Sequence, residues 1–335
     1  MIYVILNSRE NSATMQNEKR NIRHLCQRDA TGHLVAMHEN QTLDSIPWMP
    51  LLTDEYPQLA YTRIPDEMRT CRHFGQRKLL MSKLACLTPH AHVLTHVLCV
   101  GAVPGIHLSM LMSTFPMIQW TIYDPNFANH KHETSLLTRH SQCTLHATQF
   151  TTEHAVQFAA KHKGKAYAFL CEDNADDFMD RQREWYYAMS PHISMLKFKC
   201  EYVSSDDQSV LSYMDGALYL PVWGKVCTTE TRLIIDGPNA KEKSYMPRKY
   251  GDQMHYFNAV ARPALYQHAL SDVARHAFCC CFDCKTEIEI WSRVIQGARA
   301  HPNHILVTPW SLEDDEIDMI KWFWRHTSAF LHQTP

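Results

Sequence analysis

Four charged residues stand at positions where a solvent-exposed surface is not expected. Lys197 lies inside an apolar stretch, Asp173 follows another, Glu230 opens a third, and Lys78 belongs to a segment with helical spacing. Burying a charged side chain is costly unless it is paired, so these residues require partners. Two structural ion pairs would satisfy each residue taken alone. If all four meet at one crevice, they form a compensated Lys-Asp-Lys-Glu cluster with catalytic potential.

A short glycine-containing turn joins a strand-like run to a helical segment. Gly101 and Gly105 flank this turn in a chain with only 10 glycines. Such a turn at the carboxyl end of a strand lets the backbone approach a ligand. The spacing lacks the G-x-G-x-x-G and G-K-[ST] patterns, and Pro104 removes an amide that a phosphate cradle would use. With Asp124 placed to accept from a ribose, the turn favours a nucleoside without pyrophosphate, such as S-adenosylmethionine. The alternative is a tight connection with no ligand.

The elements that position these residues alternate along the chain. Apolar, β-branched runs predict strands at 93–100, 118–124, 166–171, 193–202, 217–222 and 230–235. Helical spacing predicts helices at 76–87, 106–115 and 176–189, and mostly helix at 253–297. Strands separated by helices predict the α/β class, with a mostly parallel central sheet and helices on both faces.

Composition indicates a globular chain. Hydrophobic residues make up 45% and charged residues 20%, which excludes wholesale disorder. Proline interruptions and weak periodicity predict a loosely structured arm at 1–60. The main domain is then expected at 61–300, and a C-terminal tail with a short helix at 301–335.

Compartment and charge narrow the function classes. No apolar run approaches the ~18 residues of a membrane helix, and the short apolar N-terminus lacks the basic segment of a signal peptide. We therefore expect no membrane association, a cytoplasmic location, and free thiols for the 12 cysteines. Lys+Arg 33 against Asp+Glu 35 gives a net charge of −2, so nucleic-acid binding requires a local basic surface.

Six stretches resemble a known family, the poxvirus-type cap-specific mRNA 2′-O-methyltransferases, whose members also serve as the small subunit of a poly(A) polymerase. With the family's motif after each, they are 75–80 (G-Q-x-K-L-L), 100–107 (I-G-S-A-P-G-T-H), 120–124 (W-x-x-x-D), 196–200 (L-K-W-R-C), 230–233 (E-M-R-L) and 254–258 (M-Y-Y-L-N). Their order and spacing match from about Gly75 to about Val294. The resemblance implies a Rossmann-like, S-adenosylmethionine-dependent methyltransferase domain.

The resemblance implies that Lys78, Asp173, Lys197 and Glu230 form the family's catalytic tetrad. A ribose 2′-hydroxyl is a poor nucleophile, so a base must take its proton as it attacks the sulfonium methyl group. Lys197 is the implied base, provided that its pKa is lowered. Lys78 would supply a second cation and orient the hydroxyl, and the two acids would position the lysines. No metal is implied.

The resemblance also implies ligand contacts. The cofactor S-adenosyl-L-methionine would contact Gln76, Gly101, Pro104, Gly105, Asp124 and Asn126. Asn126 stands where the family has an arginine, and residues 174–175 also depart from the family's V-R.

Cap recognition in the family uses two aromatic rings around a cationic base. Tyr202 fits one ring. Tyr56 is assigned as the other, with Tyr61 as the alternative. Asp252 is the implied acid for the edge of the base, with Asp206 or Asp207 as alternatives. The basic residues that could line the RNA path are Arg72, Arg77, Lys199, Lys225, Arg232, Lys241, Lys243, Arg248 and Lys249.

Two other functions compete with methylation of capped mRNA. One is a non-catalytic RNA-binding processivity subunit for a poly(A) polymerase catalytic subunit, which is also a possible partner of the enzyme. The other is an FtsJ-like 2′-O-methyltransferase that acts on uncapped RNA. A metal site is weakly indicated by the zinc-like spacing of Cys281 and Cys284, with His276, Cys279 and Cys280 nearby. Because no second C-x-x-C follows, we expect free thiols and no metal.

Overall fold

The computed structural model describes residues 26–28, 34–36, 42–43, 49–61, 74–172, 176–204, 206–225, 228–262, 264–266 and 281–332. Its strands are β1 (Cys26–Arg28), β2 (Leu34–Ala36), β3 (Thr42–Leu43), β4 (His96–Val100), β5 (Gln119–Tyr123), β6 (Cys143–His146), β7 (Tyr167–Cys171), β8 (Ile193–Lys199), β9 (Leu211–Met214), β10 (Ala217–Tyr219), β11 (Glu230–Asp236), β12 (Glu242–Tyr245) and β13 (Leu265–Tyr266). Its α-helices are α1 (Gly75–Leu87), α2 (Ile106–Thr114), α3 (Lys131–Leu137), α4 (Thr152–Lys161), α5 (Phe178–Met189), α6 (Pro247–Tyr256), α7 (Phe282–Ala300) and α8 (Glu316–His332).

A seven-stranded sheet forms the centre of the fold. Its strand order is β10-β11-β8-β7-β4-β5-β6. β4 to β8 are parallel where they pair, whereas β11 runs antiparallel to both β8 and β10. β7 is buried along its whole length, as is expected for a central parallel strand covered on both faces. The predicted α/β class with a mostly parallel sheet is confirmed.

Helices cover both faces of this sheet. From β4 the chain passes through α2 to β5 and through α3 to β6, then returns through α4 to β7 and through α5 to β8. Right-handed crossovers in opposite directions place these two helix pairs on opposite faces. α1 packs against α2 and α7, whereas α4 packs against α5. This is the predicted Rossmann-like methyltransferase arrangement.

The strand order reverses between β4 and β7, which are neighbours in the sheet. The connections that leave their carboxyl ends diverge to opposite sides, and a crevice opens between them. Ligands of open α/β sheets bind in such a crevice. Gly101 follows β4 directly and Glu172 follows β7 directly, so both residues stand at this edge.

Residues 49–61 form part of the domain, which corrects the arm predicted at 1–60. The amide of Leu52 donates to the carbonyl of Leu218 at 2.7 Å, and the amide of Leu220 donates to the carbonyl of Pro50 at 2.9 Å. Leu52 is buried in the core. The segment therefore extends the β10 edge of the sheet before it crosses to α6.

The C-terminal segment also belongs to the core. α8 has 17 residues, and its Met319 and Ile320 are fully buried. The helix packs against α7, where the rings of Phe323 and Trp291 stack with centroids 4.4 Å apart. This corrects the prediction of a tail with a short helix. Within the described ranges, the structure contains no helix of the length and apolarity that crossing a bilayer requires.

Candidate functional site

The glycine turn after β4 has the backbone geometry that its sequence indicates. Gly101 and Gly105 both have φ of 75°, a left-handed conformation that favours glycine. A Cβ atom at Gly105 would lie 3.2 Å from the carbonyl oxygen of Ala102 and 3.2 Å from Cδ1 of Leu137. Gly105 is thus required by the tight entry into α2.

Asp124 holds this turn in place. Its Oδ2 accepts a hydrogen bond from the amide of Val103 and its Oδ1 accepts one from the amide of Asn126, both at 2.9 Å. The side chain is buried at the end of β5. Asp124 therefore ties the loop after β4 to the loop after β5 across the edge of the sheet.

A cavity of about 470 Å³ opens at this edge. Three of the predicted cofactor residues line it, namely Gly101, Asp124 and Asn126. Sequence reasoning missed several other lining residues, including Gln149, Phe150 and Arg181. Gln149 and Phe150 follow β6, a strand that was not predicted, and Arg181 lies in the first turns of α5.

The remaining predicted cofactor residues do not line the cavity. Pro104 and Gly105 shape the turn, and Gln76 lies in the first turn of α1. The Oε1 atom of Gln76 lies 2.8 Å from Nδ1 of His107 in α2. Gln76 thus connects the first helix to the glycine turn.

A charged cluster lies at the same edge, on the β8–β11 side of the crevice. Nζ of Lys78 donates to Oε1 of Glu230 at 2.5 Å, and Nη1 of Arg232 donates to the same oxygen at 2.7 Å. Lys197 pairs with Arg232 in the β8–β11 register, so both side chains lie on one face of the sheet. The structure therefore brings Lys78, Lys197 and Glu230 to one place. Asp173 lies outside the described residues.

Sequence reasoning missed the other half of this cluster. Arg232 was predicted to line the RNA path, but its side chain is fully buried. Its Nη2 donates to Oε2 of Glu172 at 2.7 Å and its Nε to Oε1 at 3.2 Å. Nζ of the fully buried Lys83 also donates to Glu172 Oε1, at 3.3 Å. The signal available in the sequence was the i, i+2 spacing of Glu230 and Arg232, which puts both on one face of a strand.

Arg77 is a second basic residue that leaves the predicted RNA path. It forms two hydrogen bonds of 2.7 Å with Glu287 of α7. Its guanidinium also lies over the rings of Trp223 and Trp324, at 5.0 Å and 4.4 Å from their centroids. Arg77 is therefore a structural residue that joins α1 to α7 and α8.

The environment lowers the pKa of both lysines below the ordinary value of 10.5. For Lys78 the main cause is burial, reinforced by Arg232 and opposed by Glu230 and Glu172. For Lys197 the main cause is again burial, opposed by Glu230 and reinforced by Arg232. Arg232 is thus a permanent cation that disfavours protonation of both lysines.

The two glutamates are held ionised. Burial acts to raise the pKa of Glu230, but Arg232 and Lys78 outweigh it, and the pKa lies well below the usual range. The pKa of Glu172 is also lowered, since Arg232 and Lys83 outweigh the effect of burial. The cluster is therefore a fixed array of charges around two lysines that lose protons more readily than free lysine.

An aromatic pair lies beside the charged cluster, where residues 49–61 cross α6. The rings of Tyr61 and Tyr202 are parallel, with centroids 3.8 Å apart. The amide of Tyr61 donates to Oδ1 of Asp252 at 2.9 Å. The ring of Tyr56 instead packs edge-on against Tyr256, at 6.1 Å. The ring opposite Tyr202 is thus Tyr61, which corrects the assignment of Tyr56.

The alternative acids lie in the loop after β8. Asp206 is exposed, and Asp207 accepts a hydrogen bond from the amide of Ser209 at 2.6 Å. Of the cysteine cluster, Cys281 precedes α7 and Cys284 is buried within it, whereas 276–280 lie outside the described residues. No group of potential metal ligands occurs in the described part of the chain.

Comparisons with known proteins identify one family. A family model described as the poly A polymerase regulatory subunit matches residues 54–280. No curated protein sequence resembles the chain closely enough to count as a match. The matched region contains the glycine turn, the cluster around Glu230 and the aromatic pair.

Two solved structures share a weak similarity. The crystal structure of a fibrillarin/Nop5p complex has 12% sequence identity and a TM-score of 0.28, over 48% of this chain and 77% of that chain. The structure of coclaurine N-methyltransferase bound to N-methylheliamine and SAH has 10% identity and a TM-score of 0.25, over 82% of this chain and 71% of that chain.

Proposed function

The chain belongs to the poly A polymerase regulatory subunit family, and on this basis we propose that it is a cap-specific mRNA 2′-O-methyltransferase. It transfers a methyl group from S-adenosyl-L-methionine to the ribose 2′-hydroxyl of the first transcribed nucleotide. The observation that carries the proposal is the placement of a nucleoside-sized cavity at Asp124 and a lysine–glutamate cluster at Glu230 on one edge of the sheet.

The residues of the cavity fit this cofactor. Gly101 and Gly105 leave the backbone open to a ligand, and a volume of about 470 Å³ is within the range of small-molecule sites. Each oxygen of Asp124 accepts one backbone hydrogen bond, so each retains capacity for a ribose hydroxyl. Phe150 supplies an apolar wall for a purine. When bound, S-adenosylmethionine supplies an electrophilic methyl group on its sulfonium.

The charged cluster fits the activation of a hydroxyl. Lys197 accepts the proton of the 2′-hydroxyl, a role that its lowered pKa supports. Lys78 donates one hydrogen bond to Glu230 and has further N–H donors with which to orient the hydroxyl oxygen. Arg232 and Glu172 keep Glu230 in place, so that the two lysines approach the reacting oxygen from fixed positions.

The aromatic pair fits a methylated guanine. The base carries a positive charge after methylation, and a cation stacks strongly between electron-rich rings. Tyr61 and Tyr202 supply two parallel rings, and Asp252 lies next to them with a carboxylate for the N–H edge of the base. Capped RNA is therefore the substrate that these residues favour over uncapped RNA.

Methyl transfer from labelled S-adenosylmethionine tests the proposal on three matched RNAs. These carry a 7-methylguanosine cap, an unmethylated guanosine cap or a 5′-triphosphate. We expect transfer to the 2′-oxygen of the first nucleotide of the methylated-cap RNA only. Lys197→Ala should abolish transfer, whereas Lys163→Ala, at an exposed position before β7, should not change it.

Two outcomes would favour the competing functions. Equal methylation of capped and uncapped RNA would indicate an FtsJ-like enzyme. RNA binding without methyl transfer, in a chain that stimulates a poly(A) polymerase catalytic subunit, would indicate a regulatory subunit alone. The family description makes that polymerase subunit a proposed partner in either case.

A further inference from the structure

We propose that His107 is a positioning residue for the cofactor. It turns the side-chain amide of Gln76 so that the amide nitrogen donates to the carboxylate in the amino-acid part of S-adenosylmethionine. The inference rests on the proposed function, because it assumes that this cofactor binds at the glycine turn.

The contact joins the two helices that border the turn. Gln76 is the second residue of α1 and lies two residues before Lys78, whereas His107 is the second residue of α2 and lies two residues after Gly105. Oε1 of Gln76 is 3.4 Å from the backbone nitrogen of His107 and 2.8 Å from Nδ1 of its ring. The side chain of His107 is fully buried.

Hydrogen-bond chemistry fixes the orientation of both groups. A backbone N–H donates only, so the atom of Gln76 that faces it must be the oxygen. Nδ1 of His107 faces the same oxygen and must therefore carry the proton. Nε2 is then an acceptor, and no described group donates to it. Burial and the nearby Lys83 lower the pKa of His107 well below its ordinary value of 6.5, so the ring stays neutral.

This orientation leaves the donors of Gln76 free to act on a ligand. With the oxygen held by His107, the NH₂ group presents two N–H donors beside the N-terminus of α2. No side chain caps that helix, and a helix N-terminus attracts negative charge. The carboxylate is the anionic group of S-adenosylmethionine, so it is the part of the cofactor that this combination favours.

Calorimetry with two ligands tests the inference on the full chain. S-Adenosylhomocysteine contains the amino-acid part, whereas 5′-methylthioadenosine has the same nucleoside without it. His107→Phe keeps the ring but cannot donate, so S-adenosylhomocysteine should bind about tenfold or more weakly, with methylthioadenosine unchanged. His107→Asn, whose amide nitrogen lies near the position of Nδ1, should restore the affinity. Gln76→Glu should weaken S-adenosylhomocysteine further, because it replaces the donors with a negative charge.

His162→Phe is the matched control, because His162 is also buried with a ring nitrogen that lacks a partner, but at the other end of the sheet. It should change neither affinity. An equal loss of both ligands in His107→Phe and Gln76→Glu, or no loss in either variant, would overturn the inference while leaving the proposed function intact. If the wild-type chain binds neither ligand, the proposed function fails and the inference fails with it.

Discussion

The rings of Tyr61 and Tyr202 lie parallel, with centroids 3.8 Å apart and planes inclined by 7°. This is a direct stacking contact, so a base enters between the rings only if they separate to roughly twice that distance. Tyr202 is seated on α6, where a Cβ at Gly251 would lie 3.2 Å from its Cδ1. Tyr61 is 37% exposed at the end of residues 49–61. We therefore expect Tyr61 to move outward when the cap binds, while Tyr202 stays in place.

Tyr61→Ala should weaken binding of capped RNA by about 1–3 kcal/mol, the contribution of one stacking ring. Because stacking is remote from methyl transfer, KM should rise and kcat should change little. Tyr61→Phe keeps the ring and should behave like the wild-type chain. Steady-state kinetics on capped RNA, with cofactor affinity as the control, give the comparison. Unchanged KM in Tyr61→Ala would place the cap elsewhere.

The fold was predictable where strands are buried on both faces. β4, β7 and β8 appear in the sequence as continuous apolar runs, because helices cover both faces of a parallel sheet. β6 was missed, since this edge strand alternates between exposed and half-buried residues and has no apolar run. The helix at 316–332 was underestimated because its apolar residues were read as a short patch, whereas their helical spacing buries Met319 and Ile320 against α7.

The site was predictable as far as residue types at strand ends allow. Lys78, Lys197 and Glu230 do converge, as the motif resemblance implied. Arg232 was misplaced, because an arginine in a strand gives no sign of whether it reaches solvent or a buried carboxylate. The partner ring of Tyr202 depended on a segment without periodicity, and its register on α6 is set by long-range contacts such as that of the Tyr61 amide with Asp252.

Arg232 should contribute strongly to stability. It is fully buried between Glu172 and Glu230, so Arg232→Met leaves two buried carboxylates without their main cation. Removing one partner of a buried ion pair costs about 3–5 kcal/mol. We expect a decrease of this size in the free energy of unfolding, measured with urea.

Arg248→Met, at an exposed position on α6, serves as the control and should change stability little. The double variant Glu172→Gln/Arg232→Met should lose less than the sum of the two single variants, because it removes a charge of each sign. Additive losses would contradict a direct interaction between Arg232 and Glu172.

Histidine pairs at the amino edge of the sheet should make the fold sensitive to mild acid. With ring centroids 5.5, 4.4 and 3.9 Å apart respectively, they are His90–His192, His92–His301 and His96–His162. Burial, together with His162 and two lysines, lowers the pKa of His96 from 6.5 to about 4. The unfolded chain therefore takes up protons that the folded chain refuses, and stability falls as the pH drops below about 6.5.

Urea unfolding at about pH 7.5 and about pH 5 measures this loss. The lowered carboxylates contribute in a different range, since their stabilisation is lost only below the ordinary glutamate pKa of 4.5. His96→Gln should reduce the difference between the two conditions, whereas His132→Gln, at an exposed position in α3, should not. The same difference in both variants would exclude the His96–His162 pair as a cause.

Lys197 should be essential for methyl transfer but not for folding. Its Nζ lies 4.6 Å above the ring centroid of Phe178, and burial lowers its pKa below 10.5. As a general base it acts when deprotonated, so the rate should rise with pH and level off at a lower pH than free lysine would give. Lys197→Ala should lose about 10²–10⁴-fold in kcat while binding cofactor and RNA normally.

Lys197→Arg separates proton transfer from orientation. Arginine keeps the positive charge and hydrogen-bond donors but cannot release its proton under these conditions. If Lys197 accepts the hydroxyl proton, the arginine variant should be nearly as inactive as Lys197→Ala, and neither should retain the rise of rate with pH. Substantial transfer by a folded Lys197→Arg variant that binds cofactor would show that Lys197 orients the hydroxyl without taking its proton. Lys78, whose pKa is also lowered by burial and Arg232, would then be the next residue to test as the base.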